Sequence, residues 1–247
     1  MIVKGIIFDV NGTLSDIRTE EWNDDVYRVI SNILSYQGIA LDAHVIKDNY
    51  FRIMKEQRAA HGERHHEFDV VGIFREIVAQ HATDFTRALS TEKREQLPRF
   101  LAEAHRAASR FRLQLYPGVA DTIRRLDSLY HLAIVTDGQS AYAVPELNNV
   151  GLLGFFDPVI VSGDYGYRKP DPRLFTAALA AMKLEASEVL FVGNDMYRDV
   201  HGAQKLGMKT VFFKSNQGAQ EKAGVRPDYV IYSFHELLNA IRFFEEG

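Results

Sequence analysis

The chain contains no cysteine in its 247 residues. That excludes a disulfide framework and a thiolate zinc site, and fits a reducing, cytoplasmic setting. Long apolar runs are also missing. The N-terminal run MIVKGIIFDVNG is interrupted by Lys4 and stopped by Asp9, too short for a signal peptide or a membrane span. There is no block of consecutive Lys and Arg, and the net charge is −4, so nothing draws the chain toward nucleic acid. Repeats and low-complexity segments are absent. What remains is a composition 46% hydrophobic and 25% charged, ordinary for a globular protein long enough to bury its own core.

Val3–Phe8 is a short apolar run that reads as a buried strand, and it ends in the polar loop Asp9-Val10-Asn11-Gly12-Thr13. From about Thr19 to Arg112 apolar residues recur at helical spacing, as in Trp22, Val26, Val29, Ile30, Ile33 and Leu34. This block predicts four or five helices and no strand, with Trp22, Tyr27 and Phe51 in its core. Beyond Tyr116-Pro117-Gly118, strand-like runs at Leu132–Val135, Val159–Val161, Val189–Val192, Thr210–Phe213 and Tyr229–Ile231 alternate with helical segments. Such alternation predicts βαβ units and a mainly parallel sheet. If Val3–Phe8 joins that sheet, the helical block is an insertion.

In parallel sheets the reactive groups gather in loops at the carboxyl ends of strands. The loops after Phe8, Val135, Val161 and Val192 each carry polar residues and an Asp. Asp9 leaves its strand beside Gly12 and Thr13; taken alone it reads as a turn residue. Thr136-Asp137-Gly138 is an ordinary strand exit by itself. Lys169 sits between Arg168 and Pro170, where proline fixes the backbone. Asn194 and Asp195 open a helix, and if that helix already includes Asp195, its carboxylate shares a face with Asp199; an N-cap role for Asp195 competes.

Taken together, Asp9, Thr136, Lys169 and Asn194/Asp195 resemble the four motifs of the haloacid dehalogenase superfamily, subfamily I. The resemblance covers Val3–Thr13 and about Tyr116–Phe213. It implies an α/β fold with a Rossmann-like parallel sheet formed by residues 1–15 and 116–247, and an inserted all-helical cap over 16–115. It implies a hydrolase in which Asp9 attacks phosphorus and forms an aspartyl-phosphate on a small phosphorylated metabolite. Thr136, Asp137, Gly138 and Lys169 would bind the phosphoryl group. Mg²⁺ would be held by the Asp9 carboxylate, the Asn11 carbonyl and the 194–195 turn, with Asp199 supporting them.

The physics agrees with that division. Two like charges about 4 Å apart cost roughly 4 kcal/mol at an effective dielectric near 20, so a carboxylate approaching a phosphate needs Mg²⁺ and Lys169 as compensation. Mg²⁺ takes oxygen ligands and keeps several waters, so one or two carboxylates suffice.

The sequence departs from the family pattern in two places. Phosphatases of this family carry a second Asp two residues after the nucleophile, where this chain has Asn11. An amide cannot accept and return a proton. Three consequences stay open: slow turnover, good leaving groups, or another carboxylate such as Asp16, which reads equally as a hinge or helix-start residue. The other departure leaves the metal ligand open between Asn194 and Asp195. Two alternatives to the phosphatase are a 2-haloacid dehalogenase, whose branch usually has Tyr where this chain has Asn11, and a phosphate-ligand binder with little turnover. In the insert, Arg52, Lys55, Arg58, His61, Arg64, His65 and His66 offer either a grip on an acidic substrate or a solvated face. The His61–His65 spacing lacks an acidic companion for a metal.

Overall fold

The computed structural model describes residues 1–246. The chain begins with β1 (Gly5–Phe8), followed by β2 (Ser15–Thr19), α1 (Asp24–Ser35), α2 (Ala43–Ala60), α3 (Val70–Gln80), α4 (Asp84–Ala88), α5 (Thr91–Ser109), β3 (Arg110–Leu115) and α6 (Val119–Asp127). Strands and helices then alternate through β4 (His131–Thr136), α7 (Ser140–Asn149), β5 (Val159–Val161), α8 (Pro172–Met182) and β6 (Val189–Gly193). The chain ends with α9 (Gly202–Gln204), β7 (Lys209–Phe213), β8 (Tyr229–Ile231) and α10 (Leu237–Glu246).

Six strands form one parallel sheet in the order β5-β4-β1-β6-β7-β8. Every residue of β1 is buried, as its uninterrupted apolar run requires for a strand covered on both faces. Ile6 and Phe8 point into one core layer with α6 and α10, and Ile7 into the other with α8. Phe8 lies opposite Ile134 of β4 and Val192 of β6. The loops that follow β1, β4 and β6 therefore leave the sheet side by side at one edge.

The insert packs α1, α2, α3 and α5 around Tyr27, Ile30, Leu34, Tyr50, Phe74, Ile77 and Leu101. Val26, Ile30 and Leu34 recur every fourth residue on the buried face of α1, whose N-cap Asn23 accepts from the Asp25 amide at 3.0 Å. Two expectations fail here. Trp22 is 68% exposed and stacks flat on Phe51, with ring centroids 3.9 Å apart, because it precedes the first turn of α1 and misses its apolar stripe. The segment is also not helical throughout: β2 and β3 pair antiparallel, Ser15 opposite Leu115, where the chain leaves and re-enters the sheet domain. β3 reads Arg-Phe-Arg-Leu-Gln-Leu, an alternation that merges with the charged face of α5 in a helical window.

No helix among the described residues is long and apolar enough to cross a membrane.

Candidate active site

Asp9 stands one residue beyond β1, only 6% exposed, and its amide donates to the Val192 carbonyl at 3.0 Å. One carboxylate oxygen accepts from the Thr13 hydroxyl at 2.9 Å. The other accepts from the Lys169 ammonium at 2.7 Å. The same ammonium donates to Asp199 at 2.7 Å, so one buried cation joins two carboxylates across the strand ends. Burial alone would pull the Lys169 pKa down, but Asp199 and then Asp9 outweigh it and hold it above the ordinary lysine value.

Asp199 is buried and belongs to a stretch, Met196–His201, wound as a π-helix, in which the Val200 amide reaches back five residues to the Asp195 carbonyl at 3.2 Å. Its first oxygen takes Lys169; its second accepts from the Asn194 and Asp195 amides at 3.0 and 2.9 Å. Gly193 permits this folding back, because a Cβ there would stand 2.5 Å from the Asp199 carboxylate. Burial raises the Asp199 carboxyl to about 7, against the pull of Lys169.

Asp195 turns the opposite way. Its carboxylate caps the helix start, accepting from the Tyr197 and Arg198 amides at 2.9 and 2.8 Å, then from the Arg198 guanidinium and the Ala219 amide at 2.9 and 3.0 Å. Burial would raise it, yet the Arg198 and Ala219 N–H groups hold it below the ordinary carboxylate value. The shared face expected for Asp195 and Asp199 does not form, since Asp195 is the N-cap and a π turn follows it. Asn194 points toward the Asp9 loop instead: its side-chain oxygen lies 3.1 Å from the Thr13 hydroxyl. Its nitrogen is buried with no partner. Gly12, at φ +88°, makes room for that amide, and a Cβ there would lie 2.2 Å from it.

Thr136 is buried at the end of β4. Asp137 accepts from the Lys169 amide at 2.8 Å, so its carboxylate fixes the lysine's backbone. The Gly138 amide donates to the Ser162 hydroxyl at 2.9 Å, and Ser162 donates to Glu67 at 2.7 Å. Asn11, Asp137 and Gly138 line a cleft of about 180 Å³ together with Glu67, Phe68, Arg106, Glu146 and Arg168. Asp16 lies on the ribbon, held by Arg112 at 3.1 Å and Gln217 at 2.8 Å, in a strand rather than at a helix start.

The insert closes this cleft through a strip of backbone contacts that the sequence did not disclose. The Arg168 amide donates to the His65 carbonyl at 2.8 Å and the Glu67 amide to the Gly166 carbonyl at 3.0 Å. The Gln139 side chain clamps the same strip, donating to the Phe68 carbonyl at 2.6 Å and accepting from the Val70 amide at 3.1 Å. Within the basic stretch of the insert, Arg52 pairs with Glu56 on the surface at 2.8 Å, and His61 stacks on His66 at 4.5 Å. The cations that line the cleft are Arg106 and Arg168, neither of which belongs to that stretch.

The end of the central parallel strand thus carries a buried Asp on which Lys169 and a carboxylate-held turn converge. Residues 3–207 match the model of the haloacid dehalogenase-like hydrolases, and the chain belongs to that family. Among its relatives, the glyceraldehyde 3-phosphate phosphatase of Pyrococcus abyssi (strain GE5 / Orsay) is 40% identical over 103 residues, 41% of this chain and 43% of that protein. The match thus spans less than half of that relative. The glyceraldehyde 3-phosphate phosphatase of Methanopyrus kandleri is 24% identical over 250 residues, covering 98% of each chain. In structure, a 2-haloacid dehalogenase from Pseudomonas syringae pv. Tomato DC3000 superposes with a TM-score of 0.71 at 20% identity, covering 98% of this chain and 100% of that one. At that identity the likeness concerns the fold.

Proposed function

We propose that the protein is a Mg²⁺-dependent phosphatase that attacks the phosphorus of a small phosphorylated metabolite with Asp9. The observation that carries this reading is the Lys169 ammonium, 2.7 Å from both Asp9 and Asp199 in a buried site. Such a cation offsets the roughly 4 kcal/mol repulsion that a carboxylate meets when it approaches a phosphoryl oxygen. Asp199 orients the lysine, and Asp137 fixes its backbone. In this reading Thr136, at the adjoining strand end, donates to a phosphoryl oxygen. The names of the relatives support a phosphorylated three-carbon aldehyde as the first substrate to try.

The donors near Asp9 fit a hard cation. Thr13 has one hydroxyl proton, and Asp9 takes it at 2.9 Å. The Asn194 amide is then best satisfied with its nitrogen toward Thr13, which turns its oxygen to the buried position that has no partner. A carboxylate from Asp9, the Asn11 carbonyl and this amide oxygen would make an all-oxygen set suited to Mg²⁺. Asp195 and Asp199 take N–H donors with both carboxylate oxygens, so this reading leaves them outside the metal set. Mg²⁺, when bound, supplies positive charge for the phosphoryl oxygens.

The test is phosphate release from a panel of phosphorylated metabolites, with and without Mg²⁺, beside Asp9→Asn. Mg²⁺-dependent release that Asp9→Asn abolishes is the expected result. No release from any ester at high enzyme concentration rejects the reading, and halide release that persists in EDTA would replace it with a dehalogenase.

A further inference from the structure

Asn11 occupies the place from which the departing alkoxide is expected to take its proton, and an amide cannot give up a proton and take it back. Four carboxyls line the cleft beside Asn11: Glu21, Glu67, Asp137 and Glu146. Glu146 is committed to the Arg106 guanidinium, which donates to both of its oxygens at 2.7 and 3.4 Å. Glu21 is partly exposed and shares Arg106 at 3.1 Å. Asp137 is committed to the Lys169 amide. Glu67 differs from all three. It is 3% exposed, it accepts from the neutral Ser162 hydroxyl at 2.7 Å, and its nearest cation, Arg168, stands 3.7 Å away.

We propose that Glu67, delivered by the insert, is the general acid and base of this hydrolase, in the role Asn11 cannot fill. The inference rests on the phosphatase reading above. As Asp9 forms its bond to phosphorus, the bond from phosphorus to the leaving oxygen breaks, and that oxygen takes the Glu67 proton. In the second step the Glu67 carboxylate removes a proton from water, whose oxygen bonds to phosphorus. The Asp9–phosphorus bond breaks, orthophosphate leaves, and Glu67 is protonated again. Ser162 and Arg168 stabilise the carboxylate between the two steps, while Asp137 opposes it. Burial, the largest influence, raises the Glu67 pKa, as an acid working near neutrality requires. Because Glu67 sits on the strip that docks the insert, the proton donor is in place only when the cleft is closed.

The experiment compares wild type, Glu67→Gln and Glu67→Gln/Asn11→Asp on an alkyl phosphate and on p-nitrophenyl phosphate, whose leaving group needs no proton. Glu67→Gln is expected to lower alkyl ester turnover by about 10²–10⁴-fold. With the aryl ester it should release one nitrophenolate per enzyme in a burst and then stall, with the phosphoryl group on Asp9 detectable by mass spectrometry. The burst amplitude also counts folded sites. The added Asn11→Asp should restore steady turnover. Equal losses on both esters without a burst would make Glu67 a strut for the insert and overturn the proposal, as would unchanged turnover in an active enzyme. Wild-type protein that hydrolyses neither ester removes the phosphatase reading, and the proposal with it.

Discussion

Asp199 grips Lys169 with one carboxylate oxygen at 2.7 Å while its other oxygen holds two peptide N–H groups at the end of β6. A single side chain thus sets both the position of the cation and the shape of the turn that carries Asn194.

Lys169→Met is the most direct probe of that arrangement. It removes the charge and leaves Asp9 and Asp199 buried together without compensation. Breaking a buried pair in this way costs about 3–5 kcal/mol. Without the lowering pull of Lys169 the buried Asp199 carboxyl rises further above its unfolded value, so the folded state binds more protons than the unfolded chain and the deficit shrinks as pH falls. Urea unfolding at two pH values should show the variant closer to wild type on the acid side. Phosphatase activity should be lost at every pH.

Gly193→Ala tests the turn itself. The added methyl would meet the Asp199 carboxylate at 2.5 Å, and that side chain is held by Lys169 and two peptide N–H groups. Overpacking of this kind costs about 1–3 kcal/mol. Asp199 must move, and Lys169 with it, so kcat should fall more than the change in Tm suggests. Full activity in the variant would mean that Asp199 does not position the lysine.

These residues explain how much the sequence disclosed. The strand exits at Asp9, Thr136 and Asn194 were legible because apolar runs such as Val189–Val192 carry their own boundary. The convergence of Lys169 on Asp9 followed from the family resemblance, not from spacing. Between the two readings of Asp195 the sequence could not choose, and it is the N-cap one that the structure adopts, with a π turn breaking the 3.6-residue period on which a face shared with Asp199 depends. The ribbon of β2 and β3 escaped notice because its partners are some 95 residues apart in sequence and half-exposed, so neither strand has an apolar run of its own. Glu67 gave no local signal: its burial depends on a loop that docks against Gly166–Arg168.

His105 makes the insert sensitive to acid. It is wholly buried, flanked by the hydroxyls of Tyr27 and Tyr142 at 3.4 Å and stacked on Tyr50. Burial, aided by Arg106, depresses its pKa from 6.5 to about 4. The folded state therefore holds the neutral ring, and the unfolded chain binds the extra proton between these values. Its contribution is complete above pH 6.5 and is lost as pH falls toward 4, about 3 kcal/mol in all. His105→Gln should flatten the dependence of Tm on pH across that window. An unchanged slope would place the acid sensitivity elsewhere.

Gln139 offers the cleanest handle on closure, because it touches the insert through its side chain alone. Gln139→Ala leaves the Phe68 carbonyl and the Val70 amide without their partner in the closed form. An unsatisfied buried backbone group costs about 1–3 kcal/mol, whereas in an open form water satisfies both. The substitution should therefore shift the balance toward opening and leave the folding of either part untouched. Hydrogen exchange should quicken at the Glu67 and Arg168 amides, which pair across the strip, and stay slow in β1 and β6. If Glu67 must arrive with the insert, kcat for an alkyl phosphate falls along with that protection. An increase in exchange with kcat unchanged would separate closure from the chemistry.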